Sequence, residues 1–199
     1  MTYVIIGIIL AGGLVFYLTS CGNKSNANDK QTVADQDTTK PKVHQIKEND
    51  FEGLRNMAFT ATPEQLGLSL PTDKTVVYGI IMDWEMGGAT ATTVSYQTGD
   101  ASLYLSSGGG VIGGGQQQNV NSAARQFVSL AQTFLDKATK TETTPLPTTD
   151  QVKFYLLTNN GIFVGQETMK NFENNSSSWL KLFEEGNNVL TELRETSEK

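Results

Sequence analysis

Residues 75–82 read Thr-Val-Val-Tyr-Gly-Ile-Ile-Met, an unbroken apolar and β-branched run. A strand of this kind has no polar face to offer water, so it must be covered on both sides and sit in the middle of a sheet. The flanking sequence supplies the neighbours. Gly87-Gly88 turns the chain into residues 89–96 (ATATTVSY), and Thr98-Gly99-Asp100 turns it again into residues 101–107 (ASLYLSS). Further on, Asn159-Asn160-Gly161 joins residues 151–158 to 162–168, a strong hairpin signal because Asn and Gly tolerate positive φ. Five strands joined by hairpins predict one antiparallel sheet.

The cover comes from helical segments. Phe51, Leu54 and Ala58 share a face of a short amphipathic helix over residues 49–58. Thr62-Pro63-Glu64-Gln65 offers a cap, a proline suited to the first helical position and a capping-box glutamine, predicting a second short helix before Gly67. Between residues 120 and 140, Ala124, Phe127, Val128, Ala131, Phe134, Leu135 and Ala138 line one helical face. Ser176, Ser177 and Ser178 can cap a last helix with Trp179, Leu182, Phe183, Val189, Leu190 and Leu193 on its apolar side. The expected fold class is therefore α+β: a five-stranded antiparallel sheet with helices packed on it, in the order α-βββ-α-ββ-α. This order resembles the profilin-like and roadblock-like architectures, and the resemblance implies an adaptor or sensory module, by topological analogy alone.

The N-terminal segment has a different character. Residues 3–18 (YVIIGIILAGGLVFYL) are uncharged and apolar. As a helix they would span about 24 Å, short of a hydrocarbon core of roughly 30 Å. Leu18-Thr19-Ser20-Cys21 resembles the lipobox of bacterial lipoproteins, in which small residues precede a cysteine whose thiol accepts a diacylglyceryl group. The resemblance implies a signal peptide over residues 1–20, lipidation of Cys21 and a membrane location facing the extracytoplasmic side. Neither Met1 nor Thr2 is basic, so a single uncleaved transmembrane anchor stands as the alternative. Residues 21–47 are rich in Asn, Asp, Lys, Thr and Gln, and show no helical or strand period. They cannot bury enough apolar surface to offset their ordering, which predicts a tether holding the domain about 25–30 Å from its anchor. The globular domain is expected over residues 48–196.

Composition closes off several classes of function. The net charge is −6, and the three arginines, Arg55, Arg125 and Arg194, are widely spaced, so nucleic acid is not an expected partner. Cys21 is the single cysteine, which excludes internal disulfides and multi-cysteine metal sites. The single histidine, His44, falls in the tether, so no Ser-His-Asp triad can assemble in the domain. Neither a metal nor a cofactor is expected.

Two segments carry candidate chemistry. Gly108, Gly109, Gly110, Gly113, Gly114 and Gly115 lie between a strand and the main helix, where exposed amides could hold an anion. A phosphate-binding loop would need Lys and Ser/Thr after its last glycine, and Gln116-Gln117 stand there instead. The competing expectation is that the glycines permit a wide turn and a close approach of backbone to its neighbours. Asp83-Trp84-Glu85 follows the central strand. Its two carboxylates, two residues apart, fall on one side of an extended chain, where they could do acid–base work or serve only to solvate the strand end. Trp84 reads either as an anchor for a partner or as the rim of the core.

The segments Gly88-Ala89-Thr90-Ala91-Thr92, Ser102-Leu103-Tyr104-Leu105-Ser106, Gly108 to Gly115 (GGGVIGGG) and Phe154-Tyr155-Leu156-Leu157-Thr158 resemble a family of small bacterial proteins of unknown function. The resemblance spans residues 50–195 and implies domain boundaries without supplying catalytic residues. The functional expectation is a membrane-anchored, non-enzymatic module that binds a protein partner not identified by the sequence. The alternative is a small-molecule or anion site in the glycine loop, with weak enzymatic activity at most.

Overall fold

The structure, a computed structural model, describes residues 48–197. The expected signal or anchor segment, Cys21, His44 and the tether through residue 47 lie outside the described residues. Helix α1 (Glu48–Thr60) leads into strands β1 (Val77–Glu85), β2 (Thr90–Tyr96), β3 (Ala101–Leu105) and the two-residue β4 (Gly110–Val111). Helix α2 (Gln118–Gln132) is followed by a three-residue β5 (Thr139–Thr141), the hairpin β6 (Gln151–Thr158) and β7 (Gly161–Thr168), then α3 (Met169–Glu173) and α4 (Leu180–Ser197). The strands form one sheet in the order β4-β3-β2-β1-β6-β7-β5, with every neighbouring pair antiparallel. Strand β1 lies at its centre, as the apolar run demands.

The sheet has seven strands where five were expected. The two additions are its short edges, and neither carries a strand signal of its own. β4 is drawn from the glycine stretch and pairs through Leu103–Val111 and Tyr104–Gly110. β5 uses Thr139, Lys140 and Thr141, residues close to the expected end of the main helix, against Val164, Phe163 and Ile162. That helix stops early: Thr133 turns its hydroxyl back on the Leu130 carbonyl at 2.8 Å, and a 3-10 turn over Leu135–Lys137 follows. The helix expected before Gly67 is only a turn. Its reciprocal bonds do form, Thr62 N–H to Gln65 Oε1 at 2.9 Å and Gln65 N–H to Thr62 Oγ1 at 3.3 Å. Gly67, with φ of 69°, then takes the chain out of helical space. Short α3 was not foreseen.

Alternation along β1 sends Tyr78 and Ile81 to one face of the sheet, and Val77, Ile80 and Met82 to the other. A register shift between Val77 and Gly79 reconciles this pattern with strict two-residue alternation. Helix α1 covers the first face through Phe51 and Ala58, while α2 and α4 cover the second through Val120, Ala124, Phe127, Leu182, Val189 and Leu193. The result is a three-layer α+β domain.

The two faces are held differently. On the α1 side, tyrosine hydroxyls from the sheet reach the carbonyls at the end of the helix: Tyr96 Oη donates to Ala58 O at 2.8 Å, and Tyr78 Oη to Ala61 O at 2.9 Å. Terminal carbonyls that a helix cannot satisfy internally are thereby paired. The opposite side is mainly apolar, with the hydroxyls of Thr93 and Ser95 buried there without a hydrogen-bond partner among the described residues. Rings follow one another across it from Phe134 to Trp179 (5.3 Å between centroids), Phe154 (5.4 Å, nearly parallel), Phe172 (6.4 Å), Phe183 (4.3 Å) and Trp84 (5.2 Å, edge-on).

Gly165 in β7 makes room for this series, since a Cβ there would sit 2.1 Å from the Trp179 ring. A stacked indole cannot yield as a flexible chain end does. Gly165→Ala should therefore destabilise the domain by about 1–3 kcal/mol through overpacking, with disturbed tryptophan emission, as denaturant unfolding followed by fluorescence would show. A variant as stable as the parent would mean that Trp179 is not seated against β7.

Candidate functional site

The residues of Asp83-Trp84-Glu85 go to three different environments. Asp83 faces the α1 layer and has no solvent exposure. Such a carboxylate must be compensated by charge and hydrogen bonds, or burying it would be prohibitively costly. Arg55 of α1 provides the charge: Nη2 lies 2.5 Å from Asp83 Oδ2, and Nε lies 3.0 and 3.2 Å from the two carboxylate oxygens. Thr92 of β2 donates its hydroxyl to Oδ1 at 2.6 Å. Trp84 points to the other face, half-buried against Phe183. Glu85, at the strand end, accepts the Gly88 amide at 2.5 Å and the Asp150 amide at 2.9 Å. The Gly88 amide, then that of Asp150, hold its carboxyl below the usual range. The two carboxylates thus have separate partners.

Arg55 is the residue that the sequence reading passed over. Besides Asp83 it donates to Thr144 O at 2.9 Å, and its guanidinium stands 4.9 Å from the Phe59 ring centroid and 5.7 Å from that of Tyr155. The segment around Thr144 closes over this group. Tyr155 Oη donates to Pro145 O at 2.6 Å, and Lys153 Nζ reaches Pro145 O and Leu146 O at 3.2 and 3.3 Å. Burial pushes the Lys153 ammonium down; Asp83 opposes that shift and Arg55 adds to it. Burial, followed by the charge of Asp83, pushes the Tyr155 phenol up to about 12, with Arg55 acting in the opposite sense. A signal for Arg55 was present. It lies between Leu54 and Ala58 on the apolar face of the predicted helix, where a guanidinium needs a buried acceptor.

The glycine loop is built into the edge of the sheet. Gly110 belongs to β4, and Gly108 N–H donates to Leu105 O at 2.9 Å in the turn before it. Gly113, with φ of 70°, aims its amide at Ser102 Oγ at 3.2 Å. The Gly115 amide meets the Asp100 carboxylate at 3.2 Å, so a side chain of the protein occupies the position an anion would take there. Close approach explains the absence of side chains. A Cβ at Gly115 would lie 2.7 Å from Asp100 Cα, and one at Gly114 would lie 2.5 Å from Leu193 Cδ2. A Cβ at Gly109 would meet nothing within 4 Å. Among the described residues, no group of three or more His, Cys, Asp or Glu could hold a metal ion, and no helix is long and apolar enough to cross a membrane.

Removing one partner of the buried ion pair leaves an uncompensated charge. Arg55→Met and Asp83→Leu should each cost about 3–5 kcal/mol, and the double variant clearly less than their sum. Additive losses in urea melts would show that the two groups do not act as a pair. An alkaline titration tests the tyrosine layer. A phenol with a raised folded value contributes stability fully present below its unfolded value of about 10, and that stability is lost as pH climbs toward about 12. Tyrosinate absorbance should therefore lag behind that of free tyrosine and rise together with unfolding; ionisation of every tyrosine near pH 10 in a folded chain would contradict the burial. No protein-family model matches the chain, and no curated protein or solved structure is significantly similar to it.

Proposed function

We propose that this chain is a membrane-anchored, non-enzymatic interaction module, with its domain on the extracytoplasmic side. The anchor is a lipid on Cys21, and the partner is a protein. The observation that carries the reading is that Asp83, Glu85, Gly113 and Gly115 all spend their polar groups on the fold itself. What remains available is edge and surface. Strand β4 is an edge made of the glycine stretch, where missing side chains let another backbone come close. Met86, half exposed beyond the end of β1, and Met57 on the outer side of α1 add apolar contact points.

Two measurements test it. Intact-mass analysis of the membrane fraction should find a chain starting at Cys21 with a diacylglyceryl adduct, and Cys21→Ser should abolish both processing and adduct. An unmodified native chain retaining Met1 to Ser20 would overturn the lipid anchor. A photo-crosslinker at Gln116, exposed beside the glycine edge, should give a discrete protein adduct in intact cells, and one at exposed Glu184 on α4 should not. Equal yields at both positions, or no adduct at Gln116, would remove the edge as the binding surface.

A further inference from the structure

Away from the glycine edge, a cleft of about 390 Å³ opens where the start of β1 meets the outer side of α2. Its base includes the buried side chains of Val77 and Val128, and Lys74, Arg125 and Ser129 stand exposed around them. One wall is pinned by Gln132, which accepts the Val77 amide at 2.8 Å and donates to Thr75 O at 3.3 Å. The cleft therefore belongs to the fold.

Its electrostatics run against those of the chain. The net charge is −6, yet among the described residues the charged side chains lining this cleft are Lys74 and Arg125, both cationic. Arg125 is already oriented. Its Nε donates to Asn121 Oδ1 at 2.8 Å, Nη1 to Gln97 O at 3.0 Å and Nη2 to Thr98 O at 2.5 Å. Each of these acceptors is neutral, so the bonds immobilise the guanidinium without cancelling its charge. A guanidinium carries five donors, and these three bonds leave one N–H on each terminal nitrogen. An oriented guanidinium with two unused N–H groups, sharing a cleft with an exposed ammonium, suits a dianionic oxyanion, and the side-chain entropy of the arginine has already been lost on folding.

We propose that this cleft binds a phosphomonoester, with the phosphate on Arg125 and Lys74 and its organic part against Val77 and Val128. The volume falls in the range of small-ligand sites, about 300–1,000 Å³. Soluble phosphomonoesters and the headgroup of phosphatidic acid share this chemistry. The inference rests on the folded domain alone and is independent of how the chain is anchored.

The test uses the full chain in neutral detergent micelles at constant ionic strength, titrated with glycerol 3-phosphate and followed by calorimetry and amide NMR. Saturable binding is expected, with shifts at Ser129 and Gln132. Lys74→Gln should weaken it at least tenfold while leaving the melting temperature unchanged, since Lys74 is exposed. Arg125→Gln should weaken it at least as much, but it also frees the β2–β3 turn, so the Lys74 variant decides. A parallel arm replaces the soluble probe with phosphatidic acid doped into the micelles, against phosphatidylcholine. Lys74-dependent saturation in the soluble arm assigns a soluble ligand, and the same in the lipid arm alone assigns a headgroup. Non-saturating responses in both arms, or affinities indifferent to Lys74→Gln, would overturn the proposal.

Discussion

The carboxylate of Asp83 has no contact with water in the middle strand of a seven-stranded sheet, and the α1 layer is arranged around compensating it. Arg55 must come from a helix lying across that face, Thr92 from the adjacent strand, and the segment carrying Thr144 must fold over the guanidinium to accept its remaining reach. One ion pair therefore fixes α1, β1, β2 and the loop before β6 relative to one another. Such a pair is weak evidence for net stability, since desolvating both charges offsets much of their attraction. Its effect is on specificity. A register slip of one residue would move Asp83 into the apolar layer beneath α2 and α4 with no partner.

The two helical layers consequently differ in kind. Beneath α2 and α4, the rings from Phe134 to Trp84 and the aliphatic side chains around them pack without polar partners. Above, α1 is held by tyrosine hydroxyls on helix-end carbonyls, by the Arg55–Asp83 pair and by a smaller apolar cluster around Phe51 and Ala58. The tyrosines serve both purposes, with rings buried in the cluster and hydroxyls spent on backbone. Burial raises the phenols of Tyr78, Tyr96 and Tyr155 on this face, so alkaline pH acts on the domain through the α1 layer.

The glycine loop shows how a segment that looks like a ligand cradle can instead serve the fold. Its amides turn toward Ser102 and Asp100, and two of its glycines, Gly114 and Gly115, exist because Leu193 and the backbone of Asp100 leave no room for a side chain. Asp100 performs for the Gly115 amide what an anion would do in a phosphate-binding loop. The cationic cleft arises in the opposite way, from residues that carry no motif at all.

Much of the architecture was legible along the chain. The run at residues 75–82 determined a doubly covered central strand, because no apolar strand of that composition can face water. Asn159-Asn160-Gly161 and Thr98-Gly99-Asp100 determined hairpins, because Gly161 and Gly99 take the positive φ these turns need. The apolar stripe from Val120 to Ala131 determined the main helix. All of these are local constraints, acting over a few residues. The edges were not legible: Gly110–Val111 and Thr139–Thr141 are two and three residues long, too short to show a strand period even though Val and Thr favour strands, and they pair because β3 and β7 offer unfilled ladders beside them. Nor was the early end of α2, where bonds at Thr133 and the packing of Phe134 against Trp179 outweigh a continuing apolar period. The partnership of Arg55 with Asp83, 28 residues apart, and the placing of Lys74 and Arg125 on one cleft were decided by tertiary structure alone. Charge pairing depends on distance in space, and the sequence sets that distance only through the complete fold.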